Sequence, residues 1–111
     1  MTIEEFQKFI DEQDELFRTT KTLNYTERER ILARTVKLSE ELGELSDEVL
    51  AALGDQRTGK MGERDTGSLA DEFADVVIVA FLLAKSMEVD VMDALAHKVE
   101  KIKAKHNKQL N

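Results

Sequence analysis

The stretch SLADEFADVVIVAFLLAKS, Ser68 to Ser86, decides how this chain folds. From Val76 to Ala84 it runs through nine apolar residues without a break. A helix of this kind is apolar on every side and needs neighbours around it. It is too short to span a bilayer, which takes about 20 such residues. Two carboxylates, Glu72 and Asp75, stand at i and i+3 on the face that continues through Val76, Val79 and Leu83. An ionised carboxylate in that position is costly unless it is paired or bound to a metal. Acids in a first helical turn also complement the macrodipole, an explanation that suits Asp71 and Glu72 better than Asp75.

The rest of the chain supplies the neighbours. Its 111 residues allow one domain with one core, spanning 1–111. Proline and cysteine are absent, aromatic residues make up 5%, and alanine, leucine, glutamate and lysine dominate, so the expected class is all-α. Thr2 with Glu5 has capping-box spacing and opens a first helix that should stop near Phe17 or Arg18. Thr26 with Glu29 repeats the box and opens a second helix reaching about Leu53, with Ile31, Leu38, Leu42, Leu45 and Val49 as its core stripe. Gly54 to Ser68 holds four of the five glycines and reads as a loop. Ser68 is the expected cap of the third helix. Asp90 caps a fourth, with Met92, Leu95, Val99 and Ile102 toward the core. Four helices with short connections predict a bundle-like protomer.

Charge excludes several classes. A formal net charge of −7 argues against general affinity for nucleic acid or an anionic membrane surface. The N-terminus MTIEEFQKFI is acidic and lacks the basic region of a secretory signal, so the expected location is cytoplasmic. GDQRTGKM, Gly54 to Met61, nearly matches a phosphate-binding loop, but it follows a helix and carries methionine where a hydroxyl is needed. Neither His97 nor His106 has a glutamate three residues before it, which argues against a di-iron carboxylate bundle.

The second helix carries its own acids. KLSEELGELSDEVL, Lys37 to Leu50, holds Glu40, Glu41, Glu44, Asp47 and Glu48. Alone, such a cluster is most often a solvated face. Opposite Glu72 and Asp75 in an antiparallel pair, Glu41 and Glu44 complete a set of four oxygen donors suited to a hard cation such as magnesium or manganese. Gly43 lies among them, where it costs about 1 kcal/mol relative to alanine; close approach of another helix or a ligand is one reason to keep it.

EELGE (Glu40–Glu44) followed by EFAD (Glu72–Asp75) resembles the E-E-x-x-E … E-x-x-D signature of MazG-like nucleotide pyrophosphohydrolases, within the all-α NTP pyrophosphatase superfamily. The resemblance runs from about Ile31 to Lys105. It implies Mg2+, or Mn2+, held by Glu41, Glu44, Glu72 and Asp75. It also implies that Glu40 binds further metal or orients the attacking water, and that a homodimer or homotetramer completes the fold. The family's last helix usually supplies cations for the phosphates, and Lys98, Lys101 and Lys105 stand there. Val99 or Ile102 replaces an asparagine often found in that region.

The leading expectation is therefore hydrolysis of an NTP or dNTP to the monophosphate and pyrophosphate. Lys60 and Arg64 are further candidates for the outer phosphates, and Phe9, Phe17 and Tyr25 for stacking on the base. The alternatives are a non-catalytic helical module with a metal-binding or regulatory acidic face, and a related enzyme acting on a phosphoribosyl nucleotide or a diphosphate.

Overall fold

The computed structural model describes residues 1–20, 25–54 and 66–110, with the backbone alone at 66, 67, 109 and 110. These residues form four helices and no strand: α1 (Ile3–Thr19), α2 (Glu27–Ala52), α3 (Thr66–Ser86) and α4 (Val91–Leu110). The all-α class is as expected. None of these helices is long and apolar enough to cross a membrane. Lys60 and Arg64, and the near-match to a phosphate loop beyond Gly54, lie outside the described residues.

Local chemistry accounts for the helix ends. The Thr26 hydroxyl accepts from the Glu29 backbone N–H at 3.1 Å, and the Glu29 carboxylate accepts from the Thr26 N–H at 3.0 Å. The reciprocal box satisfies two of the donors that a helix start leaves open. Thr2 caps α1 by accepting from the Glu5 N–H at 3.1 Å. Asp90 caps α4, its Oδ1 accepting from the Asp93 N–H at 3.0 Å. Past the end of α3, Glu88 takes the left-handed conformation (φ 57°). There the Val89 N–H reaches the Ala84 carbonyl at 2.9 Å, and the Glu88 N–H reaches Lys85 at 3.1 Å. This is the paired hydrogen-bond closure of a Schellman turn, with glutamate where glycine is usual.

The expected cap of α3 is corrected. The helix begins at Thr66, so Ser68 lies inside it, and the first turn contains no acid. Glu72 and Asp75 are then well beyond the reach of the N-terminal dipole, which removes the simplest explanation for two acids at these positions.

α3 is the centre of the packing. It makes its broadest contact with α2 and a smaller one with α1. Arg34 meets Leu82 and Ser86, and Glu41 meets Glu72 and Asp75, so α2 and α3 are antiparallel. Phe6 packs edge-on against Phe81 at 4.9 Å and Asp11 pairs with Lys85 at 2.9 Å, so α1 runs parallel to α3. Among the described residues the deepest side chains are mostly polar: Asp14, Arg34, Glu41 and Ser86 are buried, against one hydrophobic residue, Ile10.

Arg34 ties the three helices together. Its Nη1 donates to Asp14 Oδ1 at 2.7 Å, to the Leu82 carbonyl at 3.0 Å and to Ser86 Oγ. Its guanidinium lies 4.8 Å from the centre of the Phe17 ring. Burial pushes the Asp14 carboxyl up, but hydrogen bonds from Arg34 and Arg18 outweigh it and hold the group below its ordinary value.

Two expectations about core faces are corrected. Leu42 is exposed, because the buried line of α2 runs through Arg34 and Glu41 and leaves its neighbour outside. The α4 stripe does not face a core: Leu95, Val99 and Ile102 are 46%, 44% and 57% exposed. After the turn at Glu88, α4 leads away, and no described helix packs along it. The radius of gyration is accordingly 17.7 Å, against about 13 Å for a compact chain of this length. α3 also keeps an apolar side open, at Phe73 and Val77.

Candidate functional site

α2 and α3 bring together Glu41, Glu72 and Asp75, each with a carboxylate oxygen within 4.8 Å of the others. The register follows from the tie at Arg34. Arg34 and Glu41 are seven residues apart on α2, one face and two turns, while Leu82 and Asp75 are seven apart on α3 in the opposite direction. Fixing Arg34 against Leu82 thus sets Glu41 against Asp75.

Glu41 is only 5% exposed. One of its oxygens, Oε1, is 3.2 Å from the Lys37 ammonium. The other, Oε2, is buried without a hydrogen-bond partner, and so is Oε2 of Glu72. Burial pushes the Glu72 carboxyl up to about 7, reinforced by the charges of Glu44, Glu41 and Asp75 and by hydrogen bonding with Glu41. Such a group is half protonated near neutrality, because the charged form lacks compensation. The two orphaned acceptor oxygens describe a site whose negative charge Lys37 compensates only in part. All its donors are hard carboxylate oxygens, and they fit a divalent cation of the magnesium or manganese type.

The other expected ligand, Glu44, is exposed and is not one of the three converging carboxylates. It still lies near enough for its charge to be the second cause of the Glu72 shift. Glu40 is exposed and 3.7 Å from Lys37. Gly43 has nothing within 4 Å of the place a Cβ would occupy, so close approach of another described helix of the chain does not explain it. Lys98, Lys101 and Lys105 are exposed on α4, whose departure leaves them outside the α2–α3 packing that forms the carboxylate group.

Beside the carboxylates is a cleft of about 570 Å³ between α1, α2 and α3, lined by Phe17, Tyr25, Arg34, Lys37, Val79 and Leu82 among others. The Phe17 and Tyr25 rings are 6.3 Å apart. Phe9 does not line this cleft, and its exposed ring sits elsewhere on α1. Lys37 joins cleft and carboxylates, since it lines one and pairs with the other. A larger cleft of about 900 Å³ lies between α1 and the end of α3. None of the three carboxylates lines either cleft, but Lys37, which pairs with Glu41, lines only the smaller one, so chemistry favours that one. Sequence reasoning missed Lys37, although its i, i+4 spacing to Glu41 is a legible signal.

Convergent carboxylates between two antiparallel helices define an all-α protein with a candidate centre for a divalent cation. The family model of the MazG nucleotide pyrophosphohydrolase domain matches residues 26–110, and the chain belongs to that family. The match begins at the N-cap of α2 and leaves α1 outside it. Family members hydrolyse nucleotide pyrophosphate bonds and depend on metal. No curated protein and no solved structure matches the chain.

Proposed function

We propose that the protein is a metal-dependent nucleoside triphosphate pyrophosphohydrolase that converts an NTP or dNTP to the monophosphate and pyrophosphate. The observation that carries this reading is the meeting of buried Glu41 with half-buried Glu72 and Asp75, with two carboxylate oxygens left without partners. Glu41, Glu72 and Asp75 would hold Mg2+ or Mn2+, and Glu44, one turn along α2, would join them by a change of rotamer. The bound cation supplies neutralisation of the phosphate oxygens and of the charge that develops in the transition state.

The chain's own groups account for the rest. Glu40, exposed beside Glu41, accepts a proton from the water that attacks the α-phosphorus. The bond from that phosphorus to the bridging oxygen breaks, and pyrophosphate leaves. The aromatic cleft receives the base, with Phe17 and Tyr25 as the stacking surfaces. Lys98, Lys101 and Lys105 contact the outer phosphates when α4 is docked in a homodimer or homotetramer. The uncovered stripe of α4 and the open side of α3 support such an assembly. A cytoplasmic nucleotide pool is the expected source of substrate.

The test is direct. Purified protein with Mg2+ should release pyrophosphate from at least one nucleotide in a panel of NTPs and dNTPs. Glu41→Gln and Asp75→Asn should each abolish that release while retaining helicity. Release that survives both substitutions removes the carboxylate site from the reaction.

A further inference from the structure

Lys37 touches both halves of the site. Its ammonium is 3.2 Å from Glu41 Oε1 and 3.7 Å from Glu40 Oε2, and its side chain lines the aromatic cleft. Two cations line that cleft, and they differ in freedom. Arg34 is buried and held by Asp14, the Leu82 carbonyl and Ser86. Lys37 is 54% exposed on a long flexible stem and pairs with the Glu40 and Glu41 carboxylates.

A divalent cation on Glu41 and the Lys37 ammonium compete for one carboxylate, and their like charges repel across a half-buried space. Glu41, 95% buried by its 5% exposure, needs one of them. We propose that Lys37 is a displaceable counter-ion: it neutralises Glu41 until a divalent cation arrives, then is released to bind a phosphate of the nucleotide where the carboxylates adjoin the aromatic cleft. The inference rests on the metal-site reading above. It gives Lys37 two successive anionic partners, first the protein's carboxylate and then a substrate phosphate. Metal binding and nucleotide binding are thereby linked through one side chain.

Calorimetric titration with Mn2+ alone, in the absence of nucleotide, separates this from a plain surface ion pair. Lys37→Met should bind Mn2+ about fivefold more tightly than the wild type, the upper end for a partly exposed pair. Lys37→Arg keeps the charge and should bind Mn2+ no more tightly than the wild type. At saturating Mn2+, Lys37→Met should bind a nonhydrolysable nucleoside triphosphate about tenfold more weakly, as expected for loss of a hydrogen bond to a charged group. Unchanged or weaker Mn2+ binding by Lys37→Met overturns the proposal, and so does undiminished affinity for the analogue. If the wild type binds Mn2+, Glu41→Gln does not, and Lys37→Met matches the wild type, only the Lys37 inference fails. If the wild type binds no Mn2+, the metal-site reading fails and takes the inference with it.

Discussion

Asp14→Leu should destabilise the protein by about 3 kcal/mol, and the reason lies in what it leaves behind. Asp14 and Arg34 are 7% and 8% exposed at the side chain and meet at 2.7 Å. Removing one partner of a buried pair typically costs about 3–5 kcal/mol, because the other charge stays in place uncompensated. Here Arg34 keeps the Leu82 carbonyl, Ser86 and the face of Phe17, which points to the lower end. Arg18, at 37% exposure, loses the same carboxylate but can turn to water. At about 4 °C per kcal/mol for a domain of this size, the loss amounts to about 12 °C in Tm. Thermal unfolding followed by circular dichroism, at fixed protein concentration, measures it. The second variant, Asp14→Leu with Arg34→Met, should recover most of the loss, since an apolar pair of similar volume replaces the ionic one. The pH dependence has a definite sign. Asp14 is held below its ordinary 3.8, so its contribution is complete above that value and is lost as the pH falls through the lower folded value. The gap between wild type and Asp14→Leu should therefore be constant near neutrality and close in strong acid. A Tm within about 3 °C of the wild type at neutral pH, less than 1 kcal/mol, would falsify the view that this pair ties α1 to α2 and α3.

Glu72 predicts the opposite slope. Its folded value is about 7 against an ordinary 4.5, so the folded, metal-free protein binds more protons than the unfolded chain between those values. Stability should fall as the pH rises through that window, and Glu72→Gln should flatten the profile of Tm against pH. A wild-type profile that rises over the same window contradicts the raised Glu72 carboxyl and the crowding of acids that causes it. The α4 stripe makes a third expectation. Light scattering should show the wild type above the 12.6 kDa of one chain, and Val99→Glu with Ile102→Glu should return it to that mass. A monomeric wild type sinks the proposed assembly.

The features legible in the sequence are those whose physics is local. Thr26 with Glu29 and Asp90 with Asp93 could be recognised because a cap and its partner are three residues apart. EFAD stood out because two acids head an apolar run, and α3 does bring Glu72 and Asp75 to Glu41. The features that escaped involve contacts across helices. Asp14 lies among the acids of α1, and nothing nearby in sequence sets it apart from Glu12 or Glu15. Only packing places it against Arg34, twenty residues on, and so makes it a buried charge. Likewise, the α4 stripe of Leu95, Val99 and Ile102 has helical periodicity whether its partner belongs to the same chain or another. Periodicity reports that a face is to be covered and carries no information on what covers it.

Arg34 shows why the missed contacts matter for the site. The carboxylates can converge only if α2 and α3 hold one register, and apolar faces alone tolerate sliding. Arg34 fixes it by donating to three acceptors from α1 and α3, two of them at the C-terminal end of α3. Seven residues along α2 the same face presents Glu41, and seven back along α3 lies Asp75. The buried ion pair and the convergent acids are thus two points of one alignment. Loosening the first should reduce affinity for Mn2+ at the second, even though Asp14 belongs to neither helix that holds the carboxylates.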